Sequence, residues 1–370
     1  MIELPKRDES IASDLLINLS CLIDQPTGIS NYALSLLPHL RSLHPILLIS
    51  SPISGYTCLP IPPKLTPEAG IQGRLRRLYW VQFKLPKLFK QLKAKLIFSP
   101  LPEAPIATGS RFIVTIHDLI PLRFPKRFGP RTLYYRHWAP WVLHQAEHII
   151  CNSQSTANDL VDYFGIKAYK ISPIPLAFDS ACFRPDLSKV STDSPYFLYI
   201  GHSEPYKNLP RLIQGFSEIY QKCTHQLWIA GTPERRYTSK LQAQIQALGI
   251  EERVKFLDYV PYDKLPILIA QATALVFPSL WEGFGLPVLE AMACGTPVIT
   301  SNLASLPEVA GEAAILINPY NAAEIADAMN LIAQDGELRS QLRQAGFARV
   351  KQFSWQKTGQ ATVEVLQRFM

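Results

Sequence analysis

Nowhere in this chain do apolar residues run for the ~20 positions that a membrane-spanning helix needs. Stretches such as Pro45–Ser51 and Ala274–Pro278 end after a few residues. Met1–Ser10 is charged and lacks the apolar stretch of a secretory signal. The six cysteines, Cys21, Cys58, Cys151, Cys182, Cys223 and Cys294, lie scattered with no CxxC pair. They form neither a disulfide framework nor a zinc site, and they fit a reducing compartment. His39, His44, His137, His144 and His148 show no metal-ligand spacing. No GxGxxG follows any strand pattern, which argues against a dinucleotide-dependent dehydrogenase. No repeat of fixed period is visible. These absences point to a cytoplasmic protein without a membrane span.

What is present is enough for two folded domains. The chain has 370 residues, of which 47% are hydrophobic and 18% charged, so it can bury real cores and is not disordered. Its net charge of +7 is uneven. Residues 1–190 hold 22 Lys and Arg against 13 Asp and Glu, and the remainder holds 15 against 17. A basic first half beside a near-neutral second half suggests different partners for the two. Nucleic-acid binding rests on charge alone and gains no motif support, so no nucleic-acid partner is expected.

Along the chain, short apolar strands alternate with amphipathic helices. Asp14–Ser20, Pro45–Ser51, Leu96–Ser99, Phe112–Ile116 and His148–Asn152 read as strands; Ser30–Leu40 and Gln154–Phe164 read as helices. Periodicity then fades near Pro173–Val190 and restarts. Pro195–Ile200, Gln226–Ala230, Val254–Leu257, Ala274–Phe277 and Pro297–Thr300 read as strands; Asn208–Tyr220, Thr238–Leu248 and Pro287–Cys294 read as helices. Alternation of this kind predicts parallel sheets covered on both faces. The expected architecture is α/β, with two doubly wound Rossmann-like domains over 1–186 and 187–353. An amphipathic helix over 354–370 follows. Many of the 31 prolines sit at strand-to-loop junctions, where rigid loops at the carboxyl ends of parallel strands bind ligands.

The sharpest local signal is Glu282-Gly283-Phe284-Gly285-Leu286-Pro287-Val288-Leu289-Glu290, which follows a strand and opens a helix. Gly283 and Gly285 let backbone approach a ligand closely. The unpaired N–H groups of the helix start suit an anion. Glu282 in the loop and Glu290, expected in the first helical turn, suit sugar and ribose hydroxyls rather than phosphate. The plainer reading is a glycine-rich turn with a Glu favouring the helix dipole. His117 stands at a strand end next to Asp118; its plainer reading is a loop histidine beside an Asx turn. In Arg74–Lys95, Arg74, Arg76, Arg77, Lys84, Lys87, Lys90, Lys93 and Lys95 occur without any acid. Trp80, Phe83, Leu85, Leu88, Phe89 and Leu92 are interleaved, and Pro86 is expected to interrupt the helix. An ordinary helix with one core face and one solvated face accounts for this pattern. Peripheral docking on an anionic membrane also does.

The Glu282-to-Glu290 element resembles the E-x7-E signature of retaining glycosyltransferases of family 4, which have the GT-B fold. The similarity extends through the chain beyond about residue 12. Leu15–Leu37 resembles the family's opening strand, glycine loop and first helix. Val114–Leu122 resembles its His-Asp loop, His148–Pro185 its last segment before the linker, and Phe197–Leu209 its phosphate-binding loop. Leu227–Gly231, Val254–Val260 and Phe353–Leu366 also fit. The resemblance implies two domains facing across a cleft that closes over the donor, with the C-terminal helix crossing back onto the first domain. It implies that Glu290 holds the donor's ribose and Glu282 contacts hydroxyls of the donor sugar. Lys207 would neutralise the diphosphate leaving group, a form of electrostatic transition-state stabilisation. That role is consistent with a family that needs no divalent metal or other cofactor. His117 would position the donor sugar or reaction centre. Backbone of Gly283, Phe284, Gly285 and Leu286 would contact sugar or phosphate; Gly28, Gly201, Gly231 and Val260 complete the donor-binding positions.

The implied activity is retaining, metal-independent transfer of a hexose from a nucleotide-sugar donor to a glycan or lipid-linked acceptor, with GDP-mannose the first candidate donor. Peripheral association with the inner face of the membrane would follow from a lipid-linked acceptor. A nucleotide-sugar 2-epimerase shares the architecture but would need different cleft acids and no separate acceptor. A non-catalytic nucleotide-sugar-binding protein would bind donor without turnover. Two departures from the family pattern stand out. Tyr206 and His202 occupy places where an Arg is common, and Asp258 stands where a glycine is common near the base-binding strand end.

Overall fold

The computed structural model describes residues 13–22, 28–66, 69–127, 129–185, 194–232 and 234–370. The chain divides into two compact units, Met1–Leu176 with Trp355–Met370, and Ala177–Ser354.

Each unit is built on an all-parallel sheet. In the first, seven strands lie in the spatial order Thr57–Pro60, Ile46–Ile49, Leu15–Asn18, Leu96–Ser99, Phe112–Ile116, His148–Cys151, Ile171–Pro173. In the second, six lie in the order Val254–Asp258, Gln226–Ala230, Tyr196–Ile200, Ala274–Phe277, Val298–Ser301, Ile315–Ile317. The central strands are continuous apolar runs, and every residue of Leu15–Asn18, Leu96–Ser99, Phe112–Ile116 and Ala274–Phe277 is buried. That is the pattern of strands covered by helices on both faces. Doubly wound α/β architecture is thus present in both units, as expected.

Strand order reverses between Leu15–Asn18 and Leu96–Ser99 in one sheet, and between Tyr196–Ile200 and Ala274–Phe277 in the other. The crevice beyond the carboxyl ends at such a reversal is where open α/β sheets bind ligands.

Three strands escaped the sequence reading: Thr57–Pro60, Ile171–Pro173 and Ile315–Ile317. All are sheet edges of three or four residues. Edge strands have only one partner and tolerate proline and exposure, so their sequence carries little periodic signal. The other difference concerns Pro86. The chain stays helical through it: Gly70–Tyr79 passes into a π turn at Trp80–Lys84 and then into Leu85–Gln91. Leu85 N–H reaches back to Trp80 O, five residues away. This widened turn just before the proline absorbs the site where an ordinary ladder would be broken.

The helix Trp355–Gln367 groups with the first unit because it packs on Gly28–Leu40. A Cβ at Gly359 would collide with the side chain of His39, so only glycine allows this approach. Thr358 Oγ1 donates to Pro175 O at 2.8 Å. The expected boundary at 186/187 lies outside the described residues. Residues from Ala177 onward group with the second unit, and Phe183 packs edge-on against Tyr262 there at 5.6 Å.

Candidate active site

In the second unit, the candidate residues gather at the carboxyl ends of the strands flanking the order reversal. After Tyr196–Ile200 the chain passes Gly201 and makes a short 3-10 turn, Pro205–Lys207. After Ala274–Phe277 it enters the loop carrying Glu282 and then the helix Leu286–Ala293. The two connections are tied together. Leu280 N–H donates to Tyr206 O at 2.7 Å. Asn208, left-handed at φ +63°, donates from Nδ2 to Pro278 O at 3.1 Å and to Pro319 O at 2.6 Å. Lys207 is thereby aimed at Glu282, and Nζ–Oε1 is 2.7 Å. Both side chains are nearly closed to solvent, at 12% and 11% exposure. The ammonium also lies 5.3 Å from the centre of the Tyr206 ring and 5.1 Å from that of Phe277. Tyr206, at the place where an Arg is common, thus offers the ammonium an aromatic face, which attracts a cation by its quadrupole.

The loop between Glu282 and Leu286 is clamped from below. Ser305, fully buried, has its Oγ 3.0 Å from Glu282 O and 2.7 Å from Phe284 O. Phe284 is buried edge-on against Phe353 at 6.0 Å. Gly285 has φ +117°, and a Cβ there would lie 2.7 Å from Leu306 Cδ2. Leu286 opens the helix. Glu290 lies in its second turn rather than the first, because the helix begins at Leu286, one residue before the expected Pro287. Its half-buried carboxyl is pushed up to about 7, first by desolvation and then by the charge of Asp179.

Gly201 and Gly231 end neighbouring parallel strands. Gly201 N–H donates to Ala230 O at 2.9 Å and Gly231 N–H to Asp258 O at 2.8 Å. A Cβ on Gly231 would collide with the carbonyl of Gly201. Asp258, at φ +51°, closes the edge strand through a register irregularity. That backbone explains why glycine is common at this place. Val260 follows, half-buried. Arg211, one helical turn on from Lys207, donates to Asn208 Oδ1 at 2.9 Å and lies over the Tyr320 ring.

In the first unit, His117 stands at the end of Phe112–Ile116, as its strand-end position predicted. Its Nε2 is 2.9 Å from Pro100 O and its Nδ1 is 3.0 Å from Asn152 Nδ2. A carbonyl can only accept and an amide N–H₂ can only donate, so the proton sits on Nε2 and Nδ1 accepts. Burial pushes the imidazole down to about 4, so the ring stays neutral. The buried Tyr32 packs edge-on against it at 4.9 Å. The ring is thus a fixed wall, not a mobile base. Asn152 is 3% exposed, and its Oδ1 has no partner among the described residues. Gly28 opens the helix Gly28–Leu40, and nothing lies within 4 Å of where its Cβ would be. Residues 23–27 before it lie outside the described residues.

The structure brings Lys207, Glu282, Glu290, Gly201, Gly231 and Gly283–Leu286 together in one unit, and places His117 and Gly28 in the other. Asn208, Ser305, Asn152, Tyr32 and Asp179 were not legible as site residues. Their side chains act on backbone or on other functional groups, and no motif marks them.

Two family models cover most of the chain. One, described as Glycosyltransferase Family 4, matches residues 26–181, and one described as Glycosyl transferases group 1 matches residues 185–349. O-antigen chain mannosyltransferase B of Escherichia coli is 32% identical over 264 residues, 68% of this chain and 69% of that protein.

The chain belongs to glycosyltransferase family 4.

A further relative, O-antigen chain mannosyltransferase RfbU of Salmonella typhimurium, is 28% identical over 317 residues, 82% of this chain and 87% of that protein. Among solved structures, sucrose-phosphate synthase from Thermosynechococcus elongatus superposes with a TM-score of 0.75 at 19% identity, covering 97% of this chain and 99% of that one. HepE from Anabaena, solved with UDP-glucose, gives a TM-score of 0.75 at 19% identity, covering 96% and 99%. These likenesses bear on fold and support the GT-B class. This family-4 protein is a glycosyltransferase.

Proposed function

We propose that the protein transfers mannose from GDP-mannose to a glycan or lipid-linked acceptor in the assembly of a surface polysaccharide of the O-antigen type, with retention of configuration and without a metal. The observation that carries this reading is the buried Lys207–Glu282 pair at the strand-order reversal, with Glu290 on the helix that follows the Glu282 loop. The mannosyltransferase relatives support the sugar.

Glu290, once ionised, accepts hydrogen bonds from the ribose hydroxyls. Glu282 accepts from hydroxyls of the donor sugar. As the bond from sugar C1 to the diphosphate breaks, negative charge grows on the leaving oxygen, and Lys207 exchanges Glu282 for that phosphate. A cation already desolvated and aimed needs little reorganisation at that moment. The acceptor oxygen bonds to C1 on the face the diphosphate leaves, and its proton passes to the leaving phosphate. No carboxylate attacks C1 in this scheme, because both acids are committed to hydroxyls. The lysine supplies the charge that a divalent ion supplies elsewhere. Of groups of three or more His, Cys, Asp or Glu able to hold a metal, the described residues contain none. The acceptor's lipid would hold the protein at the inner face of the membrane. No described helix is long and apolar enough to cross it.

A thermal-shift panel of GDP, UDP, ADP and their sugars tests the donor, first with EDTA and then with magnesium. A ligand that binds only the folded protein raises the midpoint. The expected result is a GDP and GDP-mannose shift in EDTA, lost in Glu290→Ala, with an α-linked product from GDP-mannose. A shift confined to UDP-sugars overturns the donor. Magnesium-dependent turnover overturns the metal-free scheme, and sugar epimerisation without acceptor overturns transfer.

A further inference from the structure

The basic segment that the sequence left with two readings has an unusual outward face. Going inward, Arg77 pairs with Glu103 at 2.7 Å, while Trp80, Val81, Leu85 and Phe89 join the core. Going outward, Ile71, Leu75, Tyr79 and Phe83 are 70%, 61%, 57% and 57% exposed. They stand four residues apart, so they line one side of the helix. The Tyr79 and Phe83 rings pack on each other at 5.0 Å. Single exposed apolar residues are ordinary on a surface, but a row of four large ones marks an interaction site. Arg74, Arg76, Lys84 and Lys87 flank the row and are exposed.

A second helical edge lies across the 102–107 loop. Glu103 in that loop holds Arg77, and Pro102 O accepts from Tyr134 Oη at 2.5 Å. Gln82 Nε2 donates to Ala104 O at 2.8 Å, and Ala107 N–H donates to Gln145 Oε1 at 2.7 Å. The helices Pro130–His137 and Ala139–Gln145 are thus bridged to the first edge. They expose Leu133 at 43% and Trp141 at 63%, beside Arg131 and Arg136. Arg136, His137, Trp141 and His144 line a pocket of ≈ 590 Å³. Neither Ala69–Lys95 nor Leu119–Ala146 contains an Asp or Glu.

We propose that this face of the first unit docks on an anionic lipid bilayer, with Ile71, Leu75, Tyr79, Phe83 and Trp141 entering the interface and the flanking Arg and Lys taking lipid phosphates. Apolar side chains in line with a cationic border are what an interfacial helix needs. A second copy of the chain fits poorly, since a symmetric contact would set cations against cations. The assignment deepens the proposed function, resting on its lipid-linked acceptor for biological purpose.

Flotation of the full chain with vesicles of phosphatidylcholine alone, or mixed with phosphatidylglycerol, tests it. Binding is expected only to the anionic vesicles and to weaken with salt. Tyr79→Ser with Phe83→Ser should weaken it at least ~10-fold, and each of Arg74→Gln, Arg76→Gln and Lys84→Gln about fivefold, from the ~1 kcal/mol carried by a cation near such a surface. Unchanged thermal midpoints would confirm that these exposed variants fold. No binding at low salt, or binding indifferent to these substitutions, overturns the proposal. So does lipid-free self-association that the Tyr79/Phe83 variant abolishes. Turnover of a soluble acceptor is measured in parallel: vesicle binding without turnover sinks the transferase reading alone, and turnover without vesicle binding sinks the docking alone.

Discussion

In the first unit the cations are displayed and the histidine is silent. Arg74, Arg76, Lys84 and Lys87 stand exposed, while His117 is locked neutral between Pro100 and Asn152. In the second unit the important cation is hidden. Lys207 sits in a nearly dry pocket against Glu282, Tyr206 and Phe277. Net charge is therefore a poor guide to where a protein uses charge. An exposed cation is screened and acts through numbers; a buried one acts singly, because little solvent competes for it.

Breaking the buried pair should have the largest effect. Lys207→Ala is expected to lower kcat/KM by about 10²- to 10³-fold, the cost of removing one well-aimed charge from a transition state. Steady-state assays with saturating acceptor would measure it, and a loss below tenfold would mean Lys207 does not face the leaving group. Glu282 would then be left buried without its cation, so a lower thermal midpoint should accompany the change.

Gly231→Ala should come next, destabilising the second unit by about 3 kcal/mol, since its Cβ would meet the carbonyl of Gly201. Urea unfolding would read this, and a neutral outcome would mean the strand ends separate easily.

Glu290 sharpens the contrast through pH. Its folded-state value of about 7 lies above the ordinary 4.5. The protonated form is favoured by folding, so this stabilisation is full below pH 4.5 and is lost as pH rises through about 7. The difference is worth at most about 3 kcal/mol. Glu290→Gln should flatten the thermal midpoint across that window. Over the same range donor affinity should rise with pH in the native protein, as the carboxylate becomes a full acceptor, and calorimetric titration at pH 6 and pH 8 would show it. His117 has the opposite sign. Its value of about 4 lies below the usual 6.5. Its contribution is full above pH 6.5 and disappears as pH falls through 4.

The smallest effect is expected at Asn152. Asn152→Ala removes one hydrogen bond to His117 and should cost about 1 kcal/mol, with the ring free to turn. Nuclear magnetic resonance of the imidazole would then report a mixture of tautomers in place of one. A single unchanged tautomer would show that Pro100 alone holds the ring.

The candidate residues of the second unit could be picked out because glycine, proline and helix starts leave marks in sequence. Gly283, Gly285 and Pro287 announce a strand–turn–helix, and Glu282 and Glu290 ride on it. The supports were not legible. Ser305 holds two carbonyls 21 and 23 residues upstream, and Asn208 holds Pro319, 111 residues away. Nothing local distinguishes such a serine or asparagine from a surface one. The short edge strands were missed for the related reason that one partner imposes little pattern.

Sequence by itself determined the alternation of buried strands and amphipathic helices, the basic first half and the site-bearing turns. Each of these follows from local spacing and composition. Only tertiary structure decided that Lys207 lies against Glu282, that burial and then Asp179 raise Glu290, that His117 is a neutral wall, and that four apolar residues of a basic helix face outward. Those outcomes depend on distances between residues far apart in the chain, and both burial and Coulomb energy are set by such distances.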